Sequence, residues 1–213
     1  MIAKADSDLL LPSGQRPISK PLSMLRAFFN KEYINYDAVV VAGDSMLRPE
    51  EIALSVMVNS QISGNTARAI WDNRGEVQRN LERIDPNLSL VAGESEIPWS
   101  SIHGAIAGIC KVPRAKIAVS TKILHKKRPE LIPILDSVIV GYYKPRLGRA
   151  RFKDDAARAI AVLKEFRRDL VSAEERLRAC HRLLGHDDIT LCRMLEVLLW
   201  VTNEPRGYYR GVK

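Results

Sequence analysis

The 213-residue sequence holds only three cysteines, and Cys110, Cys180 and Cys192 are odd in number and widely spaced. That pattern excludes a disulfide framework and the four-thiolate spacing of an iron–sulfur cluster, so buried, apolar thiols are expected. No apolar run in the sequence approaches the roughly 18 residues needed to cross a bilayer. The opening MIAKADSDLLLPSG, with acids around a short Leu triplet, lacks the form of a secretory signal. A Gly-rich phosphate loop, a metal-ligand motif, an internal repeat and a regular alternation of strands with helices are missing too. A cytoplasmic globular protein is expected, with no metal and no cofactor. With 46% apolar and 27% charged residues the chain can build a substantial core.

Positive charge is abundant and uneven. Between Lys111 and Lys153, twelve Lys and Arg face two acids, Glu130 and Asp136. This stretch therefore carries +10, and the rest of a chain of net charge +8 carries −2. A basic block inside an ordered region is the footprint of a protein that meets a phosphate backbone, although a merely solvated basic face gives the same count. The block is not one amphipathic helix with large apolar anchors, which argues against a membrane surface.

Residues 1–22, with three prolines and little periodicity, predict an extended N-terminal arm. Residues 23–203 read as a single helical domain, and 204–213 as a basic tail with Tyr208 and Tyr209. Apolar spacing of three and four predicts a helix around Leu25 to Phe29 and another from Pro49, capped by Asp44 or Ser45. Further helices are expected after Ser63, near 76–84, over Trp99–Ile109 and over Arg114–His125. The last four are expected from Asp136 or Ser137 toward Tyr143, then over Asp155–Asp169, Ser172–Leu184 and Thr190–Thr202. DAVVVAGDSML, at 37–47, is the best strand candidate, so the predicted class is all-α.

Asp136 is the one carboxylate in the second half of the basic block, bracketed by apolar residues in PILDSVIV. At a helix start its ionised form is stabilised by free amides and the helix dipole. It can serve as a cap alone, or as a cap that also stabilises a cation in a positive groove.

Three segments, in order, carry a resemblance. VNSQISGNTARAIWD at 58–72 resembles the Ser-Gln-Gln-Ile-Ser-Gly…Ile-Trp signature of alkyl-base members of the helix-hairpin-helix DNA glycosylase superfamily. ICKVPRAKIAVSTKIL is similar to its hairpin and second helix, and RPELIPILDSVIV to the segment with its catalytic aspartate. The stretch from KILHKKRPELIPILDSVI to LEVLLW is closer still to a bacterial domain family of unknown function that resembles an offshoot of that superfamily. The resemblance implies a two-lobed helical glycosylase-like fold with a central cleft. It implies a monomer, associated with the nucleoid, that flips a damaged or modified base out of duplex DNA.

By that resemblance Asp136 is the catalytic carboxylate, and Lys116 or Lys122 is an amine that could attack the sugar. Lys116 lies twenty residues before Asp136, close to the spacing of bifunctional relatives, and Lys122 lies fourteen before it. Gln61 and Ser60 stand at the motif's DNA-gap position, where Gln61 could instead be an ordinary helix-end residue. Lys111, Arg114, Lys126, Lys127 and Arg128 are expected phosphate contacts. Trp71 and Tyr142 are expected in a base pocket, with core packing as the alternative for both. The sequence departs from the superfamily at Ser60, at Val138 and at Lys111-Val112-Pro113, where the hairpin usually has Gly-Val-Gly. Two functions follow: base excision centred on Asp136, or a catalytically inactive DNA-binding protein on the same scaffold. A helical module whose basic face meets an acidic protein is a third.

Overall fold

The computed structural model describes residues 5–14, 16–32 and 36–204; the tail tyrosines lie outside the described residues. The helices are α1 (Pro21–Glu32), α2 (Pro49–Met57), α3 (Gly64–Asp72), α4 (Arg74–Leu81), α5 (Trp99–Cys110), α6 (Ile117–Lys127), α7 (Ser137–Leu147), α8 (Asp155–Leu184) and α9 (Leu191–Asn203). Among the described residues the only β pairing is an isolated antiparallel bridge, Leu9 to Ile18. The fold is all-α. No described helix is long and apolar enough to cross a membrane.

Helix boundaries follow local chemistry. Ser63 caps α3, its hydroxyl accepting the Thr66 amide at 3.2 Å. Neither Asp44 nor Ser45 caps α2: Arg48 holds that position, Pro49 opens the helix, and Glu51 accepts the Arg48 amide at 2.5 Å. The expected break between Asp169 and Ser172 does not occur, because that stretch has neither Gly nor Pro and α8 runs unbroken for 30 residues. Asp169 does not end a helix as expected: it lies inside α8, fully buried, and accepts the Tyr143 hydroxyl at 2.9 Å. Helix α6 begins at Ile117, three residues later than the pattern suggests, because Pro113 and Arg114 are spent in the preceding turn.

Helices α5 and α6 stand at the centre. Helix α4 packs on α5, and α2 on α6, with α3 between α2 and α4. On the other side α8 packs on α5 and is flanked by α1, α7 and α9. One continuous apolar cluster runs through the whole arrangement, from Leu22 and Phe29 through Ile106 and Leu135 to Leu198. The N-terminal segment is lashed to this body. Ala5, Leu9, Leu11 and Ile18 are buried, and Ser13 hydrogen-bonds the Asp169 carboxylate through both amide (3.0 Å) and hydroxyl. Arg146 on α7 donates to the Pro12 carbonyl at 2.6 Å.

The expected strand at 37–47 is absent. Residues 39–43 have no regular secondary structure, and the carbonyls of Val39, Ala42 and Gly43 are taken by cations instead of a neighbouring strand. Lys126 donates to Tyr36 O (2.6 Å) and Val39 O (3.0 Å), and Lys127 to Ala42 O at 2.8 Å. Arg128 donates to Gly43 O and Leu81 O, each at 2.8 Å. Lys127 and Arg128, 0% and 1% exposed, are internal braces, which corrects the expectation that they contact phosphate. Lys126 is half-buried, with its ammonium 4.2 Å over the Tyr36 ring. These three end α6, where the helix dipole favours positive charge. A lysine buried this deeply needs a partner, and Lys127 reaches Glu51 at 3.0 Å and Asp44 at 2.9 Å.

Removing one member of a buried ion pair leaves the other charge uncompensated. Lys127→Met is expected to cost about 3–5 kcal/mol of unfolding free energy. Adding Glu51→Gln should restore part of the loss, measured by urea denaturation of both variants. Equal stability of Lys127→Met and wild type would contradict the bracing role.

Candidate functional site

The crossing from α6 to α7 is irregular, with prolines at 129 and 133, yet Leu131, Ile132, Ile134 and Leu135 are buried. Its backbone polar groups therefore need internal partners. His125 Nδ1 lies 2.7 Å from the Ile132 carbonyl, the Leu90 amide donates to Glu130 O at 2.9 Å, and Thr190 donates to Pro129 O at 3.0 Å. The Leu135 amide donates to Thr121 Oγ1 at 3.0 Å. That last bond seats residues 135–136 against the middle of α6, level with Lys122.

Asp136 caps α7, Oδ1 accepting the amides of Val138 (2.9 Å) and Ile139 (3.0 Å). Both bonds fall on one oxygen, so Oδ2 has no hydrogen-bond donor among the described residues. Lys122 is 7% exposed; burial lowers its ammonium pKa, while the negative fields of Asp136 and Glu196 raise it. Behind it lies a buried ionic cluster. Arg193 forks onto Asp37 at 2.8 and 3.0 Å and onto both Glu196 oxygens at 2.7 Å. Burial raises the Glu196 carboxyl to about 7 against the pull of Arg193, and Asp136 adds to the rise. Tyr36 seals this cluster, donating to the Lys122 carbonyl at 2.8 Å.

Lys116 is placed differently. It holds the N-cap position of α6, is 71% exposed, and pairs with Asp155 at 3.1 Å. Five residues of helix, about 7 Å of rise, separate it from Thr121. Of the two candidate amines, Lys122 shares a neighbourhood with Asp136 and Lys116 faces α8.

The hairpin between α5 and α6 is a tight turn. The Ala115 amide bonds Val112 O at 3.0 Å, Pro113 takes the second position, and Arg114 the third with φ +72. A turn of this kind needs positive φ at its third position, which glycine adopts freely and arginine does not. The exposed Arg114 thus sits in a strained conformation at the tip. Lys111 pairs with Glu76 at 2.6 Å. On the opposite loop Asn59 (φ +62) ends α2 with the Ser60 amide bonded back to Ser55 O at 3.1 Å. Ser60 is buried with an unpartnered hydroxyl, while Gln61 is exposed.

The two expected pocket aromatics do not join Asp136. Trp71, half-buried on α3, is covered by the Arg74 guanidinium at 4.1 Å, and α3 packs on α2 and α4. Tyr142 lies edge-on to Tyr143 at 4.8 Å and contacts the Ser13 hydroxyl at 3.2 Å, so it anchors the N-terminal segment. Cys180 and Cys192 are buried and Cys110 is half-buried, all free. No group of three or more His, Cys, Asp or Glu that could hold a metal occurs among the described residues. Sequence reasoning missed Glu196, Arg193 and Asp37, which come together only through the packing of α9. The Arg193–Glu196 spacing of three on one helix was the available signal.

A family model matches residues 23–203, nearly the whole chain: the chain belongs to the family described as "Family of unknown function (DUF6308)". No curated protein and no solved structure matches it.

His125 is fully buried beside α9, and burial lowers its pKa to about 4. An imidazole that takes its proton near 6.5 when unfolded but near 4 when folded makes stability fall as pH drops through that window. His125→Asn, which keeps a donor for Ile132 O, should flatten that part of the stability–pH curve by about 2–3 kcal/mol. An unchanged curve would refute the assignment. Arg114→Gly should stabilise the fold by up to about 1 kcal/mol by relieving the turn, where Arg114→Ala should not, read by thermal denaturation.

Proposed function

We propose that the chain is a DNA glycosylase that flips a damaged or modified base from duplex DNA and cleaves its bond to the sugar. In this reading the fold is the two-lobed helix-hairpin-helix glycosylase type, with the α5–α6 hairpin on the DNA backbone. The observation that carries it is the seat of Asp136: a carboxylate pinned through Oδ1 at a helix N-terminus, with no donor to Oδ2 among the described residues. Departure of a base leaves positive charge on the sugar. A carboxylate held rigidly beside that charge lowers the barrier without having to reorganise, and its free oxygen can also orient the attacking water. The amides of Val138 and Ile139 fix the Asp136 carboxylate in place, and burial of Lys122 favours its free-amine form, which suits it better than Lys116 to attack an abasic sugar.

A second reading, a DNA-binding protein without catalysis, is favoured by one observation. The large cleft bounded by Lys116 and Lys144 has neither Asp136 nor Lys122 in its wall. A panel of duplexes carrying alkylated, deaminated or oxidised bases separates the two. Wild type is expected to release a base and leave abasic sites. Asp136→Asn should slow release by at least about 100-fold while duplex affinity stays within about two-fold. Tight binding by both proteins with no release from any duplex would contradict base excision and support the non-catalytic scaffold.

A further inference from the structure

The cleft beside the hairpin, about 740 Å³, is enclosed by α5, the N-terminus of α6, the C-terminal turn of α7 and the first turn of α8. Four cations from four separate elements line it: Lys111, Lys116, Lys144 and Arg158. Two carboxylates share the wall, and both are engaged. Asp154 caps α8 through the Ala157 amide at 2.7 Å, and Asp155 holds Lys116. Lys144 and Arg158 have no carboxylate partner among the described residues. Lys116 is also an unusual cap: it places positive charge at the positive end of the α6 dipole, and α6 has no acid in its first turn. An anion in the cleft would relieve both.

The rim extends the same charge in a row. In the loop after α7, Ala150 and Phe152 turn into the wall of the cleft, while Arg149, Arg151 and Lys153 alternate with them and are exposed. The Cα atoms of successive rim cations stand at most about 7 Å apart. Gly148, with φ +59 and ψ −135, supplies a backbone shape open only to glycine, and so aims this loop off the end of α7. A row of cations leading out of a cationic cleft fits a chain of phosphates better than a single one.

We infer that this cleft and its rim hold the sugar-phosphate backbone of a nucleic-acid strand, at a place separate from Asp136. The inference rests on the nucleic-acid part of the function proposed above but does not require base release. The phosphates would lie against Lys144 and Arg158, and the strand would leave along Arg149 and Arg151.

Binding of an unmodified fluorescent duplex, followed by anisotropy over a range of salt, tests it. Lys144→Ala/Arg158→Ala is expected to weaken binding by about ten-fold or more and to reduce the slope of log K against log salt by about 2. Arg178→Ala/Arg182→Ala makes the same charge change on α8, about 30 Å or more away along the helix, and should leave affinity within about two-fold. Equal effects of the two double variants would overturn the inference. So would a wild type that binds no duplex, or one that binds a mononucleotide as tightly as the duplex, the mark of a free-phosphate site. Loss of base release with normal salt-dependent binding would count against the glycosylase reading alone.

Discussion

The clamp of Lys126, Lys127 and Arg128 on the chain between Tyr36 and Glu51 is the interaction on which the rest of the structure depends. An extended segment inside a helical protein has no ladder partner, and its carbonyls cannot be left dry. Three cations at the end of α6 supply what a neighbouring strand would have supplied, and they fix α2 against α6 through Glu51. The same turn of helix carries His125, which ties α6 to the crossing segment through Ile132. Because that crossing ends at Asp136, its position is set from α6 by two bonds, Leu135 to Thr121 and His125 to Ile132. The candidate site is a by-product of how one helix end is neutralised.

The clamp also divides the charge of the basic block into two populations. Lys127 and Arg128 are internal, and their positive charge is met by Glu51, Asp44 and backbone carbonyls, while Lys122 is buried in the field of Asp136. Lys111 and Lys116 are exposed but paired. Arg114, Lys144, Arg149, Arg151 and Arg158 remain to face an outside anion. A block that reads as uniform in sequence is therefore partly scaffold, and the part that is surface gathers on the hairpin, the end of α7 and the start of α8. Strain is stored at the tip of that surface, where Arg114 occupies a conformation better suited to glycine.

How much of this was legible follows from the range of each interaction. Ser63 and Asp136 as caps could be read from sequence, since a cap is decided within four residues, and so could the class and most helix positions. The strand at 37–47 could not be corrected locally: VVVAG has strand composition, and only cations some 85 residues away show where its carbonyls go. Lys127 and Arg128 were misread for the same reason, because a Lys-Lys-Arg run carries no mark of burial. Lys144 and Arg158 were passed over because their role depends on a cleft that four separated segments build. Trp71 and Tyr142 were given to a pocket by analogy, where packing against Arg74 and the Ser13 latch had already claimed them.

The claim that the basic block is split between an internal clamp and an external nucleic-acid surface is tested most directly by hydrogen–deuterium exchange with and without duplex DNA. The account predicts that DNA slows exchange at residues 111–117 and 144–158 and leaves 36–51, already held by the clamp, unchanged. Protection at 36–51 with none at the hairpin or the start of α8 would contradict it.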